Sequence, residues 1–237
     1  MTEGTTPSRE EILACCRPIR ASIQAVLAEA VKQCKKLDFD RAAKHLDLID
    51  QEQLDDEATF AMLCDIALFE PNQRGSRVVD SFLDKRLCAL PPPDHDVAHK
   101  LALAFFSMFC VADFHEAGGV WLDDLLKPGR RIWLMDESLE ASASEGLVIA
   151  MRVFDAGPFY AGFGIVVHPD AEAVTLCVGT ASHGHPLPVR HSLAAALYGD
   201  AIAELPPIPL SSADVMAVVA TMNDGAALPP PKPKRRI

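Results

Sequence analysis

The sequence predicts an α+β protein: an N-terminal helical unit, a central small antiparallel β-sheet or barrel, and closing C-terminal helices. Three observations carry this. Apolar residues recur every three or four positions through residues 1–93. Between about residue 108 and residue 178 they give way to short β-prone runs punctuated by Gly and Pro. Helical spacing then returns from Ser192. The period of apolar residues, 3.6 for a helix against 2 for a strand, decides the type of each element.

Ser8 and Glu11 match a capping box, in which each side chain satisfies the other residue's orphan amide. The stripe Ile12, Cys16, Ile19, Ile23, Val26, Ala30, Cys34 follows, with Pro18 expected to kink or restart that helix. Asp38 is placed to cap a second helix carrying Phe39, Ala42, Ala43, Leu46 and Ile49. A third, with Leu54, Ala58, Met62, Leu63, Ile66 and Phe69, stops at Pro71. A fourth holds Val79, Phe82, Leu83, Leu87 and Leu90 and is closed by Pro91-Pro92-Pro93. The segment FDRAAKHL resembles part of a tetratricopeptide repeat, but no second copy follows, so a solenoid is excluded.

Residues 94–189 are expected to form a helix plus the β module. The helix starts at Asp94 and runs to about Phe106. Strands are predicted at 108–114, 120–122, 131–135, 147–154, 159–167 and 174–178, separated by Gly118-Gly119, Pro128-Gly129, Gly157-Pro158 and Pro169-Asp170. Gly157, Gly162 and Gly164 read as turn or bulge residues. Residues 190–224 are predicted as closing helices, at 192–205 and 211–222. Residues 225–237, proline-rich and basic, have nothing to bury and are expected to be disordered.

Composition bounds the partners. The chain has 237 residues, 49% of them hydrophobic, and a net charge of −11, which argues against a broad nucleic-acid face. The polar, acidic start lacks a secretory pattern, and the longest apolar run, near 101–112, is too short to span a bilayer. Seven cysteines with no C-x-x-C pair point to reduced, largely buried thiols and a cytoplasmic location.

The central segments Phe106-Ser107-Met108-Phe109, Gly119-Val120-Trp121-Leu122-Asp123-Asp124-Leu125-Leu126, Asp136 to Ala143 and Phe159 to Gly164 resemble an uncharacterised bacterial protein family. A similar β segment occurs in some proteins with a SEC-C zinc motif, which this chain lacks. The resemblance spans residues 75–168 and implies an architecture but no activity.

Each candidate chemistry is weighed against a structural role. His95-Asp96-Val97-Ala98-His99 copies the H-E-x-x-H zinc layout with Asp for Glu, but lies in a first helical turn, where polar residues are usual. His183, His185 and His191 form a looser set and are the metal candidates. No serine elbow or phosphate loop is present, and no cofactor is expected. The acids Asp136, Glu137, Glu140 and Glu145 read as a solvated loop, and Arg152, inside an apolar strand, is expected to pair with one of them. Lys232, Lys234, Arg235 and Arg236 are the candidate partner-binding residues.

The expected function is a non-enzymatic protein-interaction or regulatory module, with another protein as partner and no membrane. A metal-dependent enzyme using the His cluster is the first alternative. A nucleic-acid-associated factor acting through the basic tail is the second.

Overall fold

A computed structural model describes residues 8–48 and 51–204. The predicted helix at 211–222 and the tail at 225–237 lie outside those residues. The α+β class is as predicted: eight α-helices and five strands among the described residues.

Helix α1 (Arg9–Val31) begins on Ser8, whose capping box with Glu11 is fully formed, and continues through Pro18 without restarting. It buries Ile12, Cys16, Ile23, Val26 and Ala30, the predicted stripe. Helix α2 (Lys36–His45) starts earlier than predicted. Asp38 acts from inside its first turn, accepting from the Lys35 amide at 2.9 Å. Helix α3 (Glu57–Phe69) is capped by Asp56, which accepts from the Thr59 amide at 2.7 Å. Helix α4 (Val78–Arg86) passes into a short 3-10 turn before the prolines. Helix α5 (Pro92–Ala102) carries Pro at its start, where the missing N–H costs nothing. Asp94 lies within the first turn of α5, nearly buried, and accepts from the Ser22 hydroxyl.

Strands β1 (Phe105–Phe114), β2 (Val120–Asp124), β3 (Arg131–Leu134), β4 (Val148–Asp155) and β5 (Tyr160–Val167) form one strongly curled sheet. Pairing runs in the order β1-β2-β3-β5-β4, and β4 returns to β1. Four of the pairings are antiparallel; β3 meets β5 in parallel, through Leu134 and Tyr160. The sheet is thus mixed, where a purely antiparallel one was expected. Gly119 makes the β1–β2 turn possible. Its φ is +76°, and a Cβ there would sit 2.2 Å from the Leu134 carbonyl oxygen.

Two short helices replace predicted irregular or extended segments. The acidic stretch after β3 is helix α6 (Glu137–Ser142), started by Asp136 accepting from the Ser138 and Leu139 amides. The run at 174–178 is no strand but part of helix α7 (Ala171–Ser182), capped by Asp170 at the Ala173 amide. Its β-prone Val and Thr are outweighed by the cap and by Glu172 in the first turn. Helix α8 (Leu193–Glu204) falls where predicted.

Alternation along the strands sorts the side chains into separate cores. Phe109, Val111, Val120, Leu122, Ile132, Leu134, Ile149, Met151 and Val153 fill the inside of the curl, with Leu139 of α6 against them. The opposite faces of β1 and β4 carry Met108, Ala150 and Phe154, which pack under the helices. Strand β4 is therefore buried on both sides, and this fixes the surroundings of Arg152.

Candidate functional site

Arg152 shares the helix-facing side of β4 with Ala150 and Phe154, so its guanidinium enters the layer beneath α3. Only 6% of the residue is exposed. A buried cation is tolerated only when paired and hydrogen-bonded. Its Nε donates to Asp65 Oδ1 at 2.9 Å, its Nη2 to Asp65 Oδ2 at 3.0 Å, and Nη2 also reaches Glu70 Oε1 at 3.3 Å. The guanidinium carbon lies 4.8 Å from the centre of the Phe69 ring and 5.8 Å from that of Phe106. Burial alone would lower the arginine's pKa, but the charges of Asp65 and Glu70 and the Asp65 hydrogen bonds outweigh it and raise it.

Tyr198 of α8 completes the cluster. The residue is wholly buried, and its hydroxyl lies close to Asp65 but makes no well-formed hydrogen bond among the described residues. Burial and the negative charge of Asp65 push its pKa well up, so the phenol stays protonated. The group ties α3, β4 and α8 together by charge and ring contacts.

The expected ion pair of Arg152 therefore exists with different partners. Its face, set by the period-2 alternation of β4, points toward α3 and away from α6. The acids of 136–145 serve the other side. Asp136 accepts from Arg20 at 3.1 Å, and Glu140 binds Arg9 at 2.7 Å and the Gly119 amide at 2.9 Å. The sequence did contain a signal for the real pairing. Asp65 is the only acid between Ala58 and Phe69, as Arg152 is the lone charge between Leu147 and Phe154.

A second buried carboxylate, Asp124, organises the β2–β3 turn. It accepts from the Ser107 hydroxyl at 2.8 Å and from the Leu126 and Lys127 amides, each at 2.9 Å. Arg130 pairs with it and lies over the Phe105 ring at 3.9 Å. This gives the Asp123-Asp124-Leu125-Leu126 segment a structural reason.

The candidate histidines are dispersed. His183, exposed at the end of α7, places Nδ1 2.7 Å from the Gly179 carbonyl oxygen. His185, also exposed, has its ring centre 6.4 Å from that of His183. His191 instead stacks on His45 at the end of α2, 3.9 Å apart and 11° from parallel. Ring nitrogens point along the ring plane, so stacked rings direct their lone pairs side by side, away from a common point. Beside this pair lies a cavity of about 320 Å³, lined also by Asp47, Arg190 and Asp200. His95 Nε2 lies 2.9 Å from the Leu90 carbonyl oxygen, and Asp96 pairs with Lys100 at 2.7 Å. Among the described residues, no group of three His, Cys, Asp or Glu side chains is arranged to hold a metal ion. Lys232, Lys234, Arg235 and Arg236 lie outside the described residues.

All seven cysteines are free. Cys16 and Cys177 are buried as expected, whereas Cys15 and Cys88 are exposed. Burial and neighbouring Asp65 push the Cys64 thiol to about 11. No helix among the described residues is long and apolar enough to cross a membrane.

No curated protein and no solved structure matches this chain. Residues 16–176 match the model of a family of unknown function, DUF7986, and the chain belongs to that family.

Proposed function

We propose that this member of the DUF7986 family is a non-enzymatic, cytoplasmic protein-interaction or regulatory module. One observation carries the reading: α7 is apolar along most of its length yet buries only Cys177. Leu176 is 53% exposed. Beside it an open groove of about 570 Å³ runs past Leu147, Val148, Pro169 and Val174. The exposed Leu176 and the half-buried apolar walls of the groove favour a protein partner over water. The basic residues Lys232, Lys234, Arg235 and Arg236 offer a second, electrostatic contact to an acidic partner.

The test is affinity capture from the native lysate with the full chain and with Leu176→Asp as baits. A partner held by the first and lost by the second supports the reading, provided both give the same circular dichroism. Equal recovery by both baits, together with turnover in a substrate screen, defeats it.

A further inference from the structure

The histidine stack beside α8 carries an assignment of its own, separate from the α7 groove. His45 is the last residue of α2. His191 precedes Ser192, whose hydroxyl accepts from the Ala195 amide at 3.1 Å where α8 starts. The two helices share one core cluster here, through Ala42, Leu46, Ala195 and Tyr198. The stacked rings, 3.9 Å apart, join the end of α2 to the chain entering α8.

The surroundings suit neutral rings. His45 is half-buried, and its Nδ1 is buried without a hydrogen-bond partner among the described residues. A charged imidazole carries N–H on both nitrogens, so protonation would bury a donor with no acceptor. The nearby fixed charges add to this. Arg41 stands one turn back on α2, Lys44 is exposed beside His45, and Arg190 adjoins His191. The acids at the site are engaged or exposed. Asp38 holds Arg41 at 3.2 Å, Asp47 reaches Arg190 at 3.7 Å, and Asp200 lies exposed on the α8 wall of the cavity. Charging both rings would set two cations 3.9 Å apart beside two arginines. The C-terminal end of a helix favours a cation. Burial first, and then His191, Arg41 and Arg190, nevertheless hold the His45 pKa below its ordinary value. A freed ring thus takes up a proton at higher pH than the stacked one, and the stack weakens as pH falls through about 6.5.

We propose that the His45–His191 stack is an acid-sensitive latch. It holds the chain entering α8 against the end of α2 while both rings are neutral, and releases it when they are charged.

The test is amide hydrogen exchange of the full chain, read by NMR at about pH 7.5 and about pH 5.5 and corrected for intrinsic exchange. The Ala195 and Ala196 amides both bond to Ser192, next to the latch. They should lose protection about tenfold at the lower pH, while the amides of α1 keep theirs. His45→Phe retains a flat ring that takes up no proton, so its α8 amides should be equally protected at both pH values. His191→Phe, at an exposed position, should show a smaller loss than the unaltered protein. The latch fails if Ala195 and Ala196 keep full protection at the lower pH in the unaltered protein. It fails equally if His45→Phe, or His191→Phe where the first does not fold, loses as much protection as that protein. Opening of α1 in step with α8 would be global acid unfolding and would also overturn it.

Discussion

Helices α3 and α7 are nearly equal in length, 13 and 12 residues, and both are rich in apolar side chains. Their fates differ. Helix α3 buries Thr59, Met62, Leu63, Asp65, Ile66, Ala67, Leu68 and Phe69, so the sheet and neighbouring helices enclose it on most sides. Helix α7 buries Cys177 alone. Apolar composition thus states what a helix is able to bury, while its place in the chain relative to the sheet states what it does bury. The same contrast divides structural charge from surface charge. The acid of α3, Asp65, is locked onto Arg152, whereas α7 opens with an exposed Glu172.

The comparison breaks most sharply at Asp65. Asp65→Ala leaves Arg152 buried and unpaired apart from Glu70, and the expected loss is about 3–5 kcal/mol in denaturant unfolding. Asp65→Leu combined with Arg152→Leu should lose far less than the two single changes together, because the buried carboxylate and guanidinium leave together and only the half-buried Glu70 loses a partner. A double variant as unstable as that sum would mean the pair contributes more than mutual neutralisation.

Next comes Ile66, fully buried on α3. Ile66→Ala should cost about 2–5 kcal/mol through lost contacts and a cavity. The matching change on α7, Leu176→Ala, should stay within about 0.5 kcal/mol, since that side chain is already largely in water. Equal losses at the two sites, read from thermal or denaturant unfolding, would erase the distinction between the helices.

Tyr198→Phe probes the same buried cluster more gently. It removes a buried hydroxyl that makes no well-formed hydrogen bond among the described residues, so stability should change by no more than about 1 kcal/mol. A marked loss would show that the hydroxyl bonds to the Asp65–Arg152 pair in solution.

The smallest effect is expected where charge is only partly covered. The Arg9 hydrogen bond and the Gly119 amide hold the Glu140 carboxyl below its usual pKa, against the opposing effect of burial. A carboxyl whose pKa is lower in the folded state stabilises above its unfolded value. That contribution fades as pH falls through the depressed folded one. Glu140→Gln should therefore lower stability modestly at neutral pH, flatten part of the acid limb of a stability–pH profile, and cost nothing further once pH lies below the depressed folded value. An unchanged acid limb would show that the contact with Arg9 is screened away.

Many local signals were legible from neighbouring residues alone. The Ser8–Glu11 box, the stripe of α1, the stop at Pro71, the triple proline and the central strands could all be read from neighbouring residues. So could the ionic state of Arg152, because a lone cation among Ala150, Met151, Val153 and Phe154 must find an anion. Two readings failed although the deciding cap was local, with only the Arg20 contact lying far along the chain. At 174–178 the β-prone residues suggest a strand, yet the cap at Asp170 starts α7; in the acidic stretch the charges suggest a solvated loop, yet Asp136 starts α6 and meets Arg20. Neither Asp65 nor His45 stood out as a partner, because each meets its counterpart across more than 80 residues of chain.

The sequence by itself determined the class of the fold, the presence of most of the described helices, and the requirement that Arg152 be paired. Hydrogen bonds to nearby amides and apolar period are properties of a few consecutive residues. Only the tertiary structure decided which anion pairs with Arg152 and which of two apolar helices is enclosed. Those outcomes depend on which face of β4 lies beneath α3 and on how the curled sheet closes, and such geometry exists only once distant segments have packed.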